Sequence, residues 1–348
     1  MFHDVVLQDT RAEDWPEMRS RIRQRVLNSM GKSPEVQLAP SFEIVQEYEA
    51  YGLKHQKIRY SVLPGEFGLA VIVLPKGAGK SNPAPAVVLC HGTYGWKHGK
   101  SGPLCLERLQ DGPWGPADCG YAIELAQRGF VTVVPDNYKC GELLTAGEKI
   151  SEEEFRTRRK QVVEQFAKDY PEWSFDGRRL LHHQRLLDVM DRIDFIRPRN
   201  YGVMGHSLGG RTAINLSALD ERIAVSIPSA GISPMLTNVP SNLRDPLKKP
   251  PSTANETASW FPYDYQDMIA LNAPRPLLIL EAYNDGLNSR IEADFECFMR
   301  GQKAYALLGK PECFSTLIHG DGHATLPDVR DFAYRWFERW LPTKQSAG

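Results

Sequence analysis

The stretch Asn200–Leu216 reads NYGVMGHSLGGRTAINL: a short apolar run, one serine among four glycines, then a run with helical spacing. Glycine loses more conformational freedom on folding than other residues, so clustering it makes sense only where the main chain bends hard or passes close to another segment. A strand ending at Met204 and a helix starting just after Ser207 put the serine hydroxyl on such a bend. The glycines two before and two after it leave room where a Cβ would clash. The helix N-terminus then points free N–H groups and a positive dipole end toward the same place. No G-x-G-x-x-G is present and no G-K-[ST] follows the glycines, so dinucleotide and P-loop readings fail.

Outward from this bend, strand and helix signals alternate. TRAEDWPEMRSRIRQRVLNSM (10–30) reads as an amphipathic helix capped by Asp9 or Thr10, with Trp15, Met18, Ile22 and Val26 on one stripe and Gly31 as its stop. KIRYSVLPGEFGLAVIVLPK predicts a hairpin turning at Pro64-Gly65. APAVVLCHG, FVTVVPD, YGVM, AVSIPSAG, PRPLLILEAYND and CFSTLIH read as strands. CGYAIELAQRG, residues around 147–170, RRLLHHQRLLDVMDRIDFI and DVRDFAYRWFERWL read as helices. The implied class is α/β, a mostly parallel sheet with helices on both faces. Residues 1–50 are expected to be a helical extension packed near the mouth of the site, and 51–348 the main domain. Insertions near 95–118, 140–175 and 232–265 would form a cap.

Composition excludes several functions. Forty-two basic against forty-three acidic side chains leave no basic surplus for nucleic acid. The apolar runs are too short to span a membrane. The start, MFHDVVLQDTRAEDW, lacks the pattern of a secretory signal, so a cytoplasmic location is expected. Cys90, Cys105, Cys119, Cys140, Cys297 and Cys313 are scattered without zinc spacing, which implies reduced thiols and no metal site. The sequence carries no signal for or against self-association.

A serine is a weak nucleophile near neutral pH unless a base takes its proton and an acid orients that base. Asp285, ending a strand, and His323, in the loop before the last helix, follow Ser207 in the order this kind of sheet requires. Glu281 is the rival acid but lies earlier in its strand. His319 is the rival base but sits at a strand end. The N–H of Leu208 and that of Thr93 or Tyr94, after the VVLCHG strand, would form an oxyanion hole; His91 reads as structural. Aromatics of the insertions, among them Trp96, Trp114, Trp260 and Tyr263, would wall a compact pocket, with Arg211 beside Lys97, His98 and Lys100 as a counter-charge for a substrate carboxylate.

Taken together, VVLCHG, PDNYKCGE, GHSLGG, APRPLLILEAYND and GDGHATLP resemble the α/β-hydrolase superfamily, in its dienelactone hydrolase and acetyl xylan esterase-like branch. The resemblance covers about residues 50–342 and implies the α/β-hydrolase fold, the triad Ser207, Asp285 and His323, and no cofactor. Two positions depart from it. Dienelactone hydrolases carry a cysteine nucleophile where this chain has Ser207. Glucuronoyl esterases have an arginine where this chain has Leu208, which argues against a uronate ester. The expected activity is hydrolysis of a small or aromatic carboxylic ester. The alternatives are C–C bond hydrolysis of a diketone-like substrate, peptidase action, and a non-catalytic binding protein on the same fold.

Overall fold

The computed structural model describes residues 3–93, 100–104, 120–232, 234, 263–287 and 291–343. Nine strands form one sheet: β1 (Phe42–Ala50), β2 (Leu53–Leu63), β3 (Glu66–Leu74), β4 (Ala86–Cys90), β5 (Val131–Pro135), β6 (Tyr201–His206), β7 (Ile223–Ser229), β8 (Leu277–Ala282) and β9 (Phe314–His319). Their spatial order is β1-β2-β3-β5-β4-β6-β7-β8-β9. The first three are an antiparallel ribbon, β3 pairs antiparallel with β5, and β5 through β9 run parallel. The hairpin turns at Pro64-Gly65, where Gly65 takes φ 78°.

The longer helices are α1 (Trp15–Met30), α2 (Tyr121–Gln127), α3 (Glu152–Asp169), α4 (Phe175–Met190), α5 (Leu208–Leu219), α6 (Tyr265–Asn272), α7 (Ile291–Leu307) and α8 (Pro327–Trp340). They cover both faces, so the parallel strands are apolar on both sides. In β4, Val88 and Cys90 join the core beneath α1, α4, α5, α6 and α7, while Val87 and Leu89 join the core under α2 and α8. This is the α/β-hydrolase fold. No helix among the described residues is long and apolar enough to cross a membrane.

The amino-terminal reading needs two corrections. The helix starts at Trp15 behind Asp14 and a 3-10 turn, not at Asp9 or Thr10, because Pro16 favours the first turn of a helix. The helical extension stops at Met30, and Phe42–Ala50 are instead the edge strand β1, paired along its length with β2. Helix α1 runs along the described helices of one face. Its stripe packs along α6 and α4, and Arg19 and Arg23 bond Glu221 and Leu219 at the end of α5 away from Ser207. Its carboxyl half reaches the start of α6, with Arg25 on Asp267 at 2.8 Å and Ser29 on Tyr263. In the expected 140–175 insertion, Phe166 of α3 packs with Tyr138, Trp173 and Phe175 as part of the core. Most of the 95–118 and 232–265 insertions, with Cys105 and Cys119, lie outside the described residues.

Candidate active site

Ser207 stands between β6 and α5 with φ 58° and ψ −122°, a left-handed backbone that a non-glycine residue adopts at a cost of about 1–3 kcal/mol. Its surroundings fix it there. Its N–H donates to Ser229 O at 2.8 Å and its carbonyl accepts from Arg211 N–H at 3.0 Å. The flanking glycines are a steric requirement. A Cβ on Gly205 would lie 2.4 Å from Gly209 backbone, and one on Gly209 would lie 2.0 Å from Cys90 O. On the other side Gly92, just past β4, passes so close that a Cβ there would be 3.4 Å from Ser207 Cβ.

The chain after β8 and the chain after β9 meet beside this bend. His323 Nδ1 lies 2.6 Å from Asp285 Oδ2, and Asp285 Oδ1 accepts from Leu287 N–H at 2.8 Å. The Asp285 carboxylate is fully buried, whereas the His323 side chain is 15% exposed. With Nδ1 turned to the acid, Nε2 is the nitrogen on the opposite side of the ring. The ring of His206, the residue before Ser207, packs 4.6 Å from the His323 ring. His206 Nδ1 is itself held between Ser229 Oγ at 3.0 Å and Thr325 Oγ1 at 2.9 Å.

The rival residues have other partners. Glu281 is buried in β8 and accepts from the Ile232 N–H at 3.2 Å. His319 ends β9, with Nδ1 3.3 Å from the Asp321 N–H and from its carboxylate. Burial lowers the His319 pKa against the pull of Asp321 and Asp285. Leu208 is the first residue of α5, and Thr93 follows Gly92 on the exposed side. Tyr94, Trp96, Trp114 and Trp260 lie outside the described residues, as do Lys97 and His98.

Two expected counter-charges have acidic partners in the protein. Arg211 is buried and ion-paired with Asp176, which also holds Arg179 at 2.7 Å, and Tyr263 is buried beside them. Lys100 Nζ bonds Asp136 at 2.7 Å and Glu142 at 3.1 Å. Burial alone would lower the Lys100 pKa, but these two carboxylates outweigh it and raise it. Sequence reasoning passed over Asp136, Asn137, His206 and Thr325. A PDN run directly after a buried strand was the available signal for the first two.

A family model described as the Abhydrolase family matches residues 4–335, taking in α1 and β1, which had been placed outside the shared core. The 4-O-methyl-glucuronoyl methylesterase 1 of Wolfiporia cocos (strain MD-104) is 26% identical over 180 residues. That match covers 45% of this chain and 44% of the relative, so it spans less than half the length of either. Among solved structures, a glucuronoyl esterase from Solibacter usitatus superposes with a TM-score of 0.65 at 15% identity, over 95% of each chain. Acetyl xylan esterase 1 from Thermoanaerobacterium sp. JW/SL YS485 gives 0.58 at 14% identity, over 96% of this chain and 95% of that one. With its glycine-packed serine bend and with the family model matching nearly end to end, the chain belongs to the Abhydrolase family of α/β-hydrolases.

Proposed function

We propose that the protein is a serine hydrolase that cleaves a small or aromatic carboxylic ester. The observation that carries this is the 2.6 Å contact between Asp285 and His323 beside the strained backbone of Ser207. In the mechanism it supports, His323 Nε2 takes the proton from Ser207 Oγ as that oxygen bonds to the acyl carbon. Asp285 holds the imidazole tautomer and stabilises the imidazolium. The N–H groups of Leu208 and Thr93 (or Tyr94) receive the oxyanion. The alcohol leaves with the histidine's proton, and a water deprotonated by His323 then releases the acid and frees Ser207. The relatives above are named for ester cleavage, which supports the reaction class. All three carry sugar-ester names, which brings sugar-borne esters within the proposed substrates.

The test is labelling by a fluorophosphonate probe and a chain-length series of p-nitrophenyl esters. Ser207→Ala should lose the label and lower kcat by about a thousandfold or more, because the triad acts as a unit. Activity should peak on short acyl chains and fall beyond about eight carbons, a discrimination worth a few kcal/mol at most. Residual activity within tenfold of the parent would reject the nucleophile, and a kcat/KM still rising into long chains would reject the compact pocket.

A further inference from the structure

Away from the triad, an open cavity of about 490 Å³ lies between the antiparallel ribbon β1–β3 and the chain that leaves β5. That volume is within the range of small-molecule sites. Ser207, Asp285 and His323 do not line it. In the sheet, β5 stands two strands from β6, a separation of about 10 Å at the usual strand spacing. Val45, Phe67, Leu69, Tyr138 and Leu143 give the cavity carbon walls, and Phe67 is 48% exposed. Most of the charges around it are matched. Glu142 bonds Lys57 at 2.5 Å and Lys100 at 3.1 Å, and Asp136 bonds Lys100 at 2.7 Å. Glu66 pairs with Arg178, and Glu43 pairs with Arg59.

Lys139, on the cavity wall, is the exception. No hydrogen bond or ion pair reaches its ammonium from the described residues. Its main chain is unusual as well. The Cys140 N–H donates to Asn137 O at 2.9 Å, closing a turn with Tyr138 and Lys139 at its centre. Lys139 takes φ 50° there, in a turn position that glycine or asparagine fills more readily. The turn is anchored at both ends, because the Asn137 N–H donates to His91 Nε2 at 2.9 Å and Cys140 is fully buried. A lysine kept where glycine fits better, with its charge unmatched beside an open cavity, serves something other than the fold.

We propose that this cavity is a binding site for a ring-bearing monocarboxylate, with the Lys139 ammonium holding the carboxylate and Phe67 offering its face to the ring. One unmatched cation selects a single negative charge. The carbon walls select an apolar body over a free inorganic anion. The site is separate from Ser207 and does not depend on the ester-hydrolase reading.

The experiment is calorimetric titration of the full-length protein with benzoate and with its neutral counterpart benzamide. Benzoate should bind in the millimolar range, and benzamide at least about tenfold more weakly. Lys139→Met should weaken benzoate binding by about 10- to 100-fold, the worth of a hydrogen bond to a charged group, and leave benzamide within about twofold. Lys139→Arg should restore most of that loss. Lys139→Gly should lose benzoate as the Met variant does yet melt no lower than the parent, which separates a ligand role from a structural one. Phe67→Ala should weaken benzoate by about 3- to 10-fold. Benzoate binding should persist when Ser207 carries a fluorophosphonate. No binding up to about 50 mM benzoate, equal affinity for benzoate and benzamide, or a Lys139→Met variant within about twofold of the parent would overturn the site. Loss of benzoate binding on labelling Ser207 would overturn it too, by placing the carboxylate at the triad. A parent that binds benzoate through Lys139 but takes no label would keep this site and remove the ester-hydrolase reading.

Discussion

Asp285 and Glu281 are both buried carboxylates, one in β8 and one just past it, and their hydrogen bonds separate their roles. Asp285 faces His323 Nδ1, so it must stay an acceptor that fixes the tautomer. Glu281 accepts a main-chain N–H from Ile232, a task an amide oxygen can share. Asp285→Asn should therefore lower kcat by about 10⁴, as the wrong tautomer does in serine triads, with little loss of stability. Glu281→Gln should keep kcat within tenfold and cost about 1–3 kcal/mol of stability through its weakened buried hydrogen bond. Steady-state kinetics and urea unfolding on both variants decide it, and the reverse ranking would move the acid to Glu281. The order of serine, acid and histidine along the chain made this site readable. Arg211 was not readable, because the acid that occupies it, Asp176, comes from α4 and no local pattern announces the pairing.

The bend between β6 and α5 is set by packing against β4. At Gly209 a methyl group would sit 2.0 Å from a main-chain oxygen of Cys90, and neither partner is a side chain that can turn away. Gly209→Ala should cost about 3 kcal/mol or more, at the upper end for overpacking. It should also displace Ser207 enough to abolish hydrolysis. Gly79→Ala is the control, since nothing lies within 4 Å of its added carbon. Urea midpoints that coincide for the two variants would refute the packing argument. The same comparison of elements explains what the sequence pattern left unread. Helix α1 announced itself because one stripe, Trp15, Ile22, Val26 and Met30, is buried. Strand β1 did not, because it is an edge strand exposed along most of its length and carries no buried alternation to detect.

At the scale of the whole molecule, buried histidines couple stability to pH. Burial drives the His183 pKa down to about 4, against a backbone hydrogen bond to Arg179 O and helped by His91 and the Arg179 charge. His182 is pushed well below its ordinary value by burial and by Arg178. His91 is lowered by burial despite Asp136. In the unfolded chain each would titrate near pH 6.5. Between about pH 6.5 and pH 4 the unfolded state therefore holds protons the folded state refuses, and stability must fall as pH falls through that window. Above it the histidines are neutral in both states and contribute no slope. For His183 the full span amounts to about 3 kcal/mol. His183→Gln removes one of these protons. Whatever the substitution costs at pH 7.5, the variant should regain about 2 kcal/mol relative to the parent by pH 5. Guanidinium unfolding of both proteins at pH 7.5, 6 and 5 measures this. Parallel curves across the three pH values would mean that His183 binds its proton equally well in the folded and unfolded chains and that its burial does not govern acid stability.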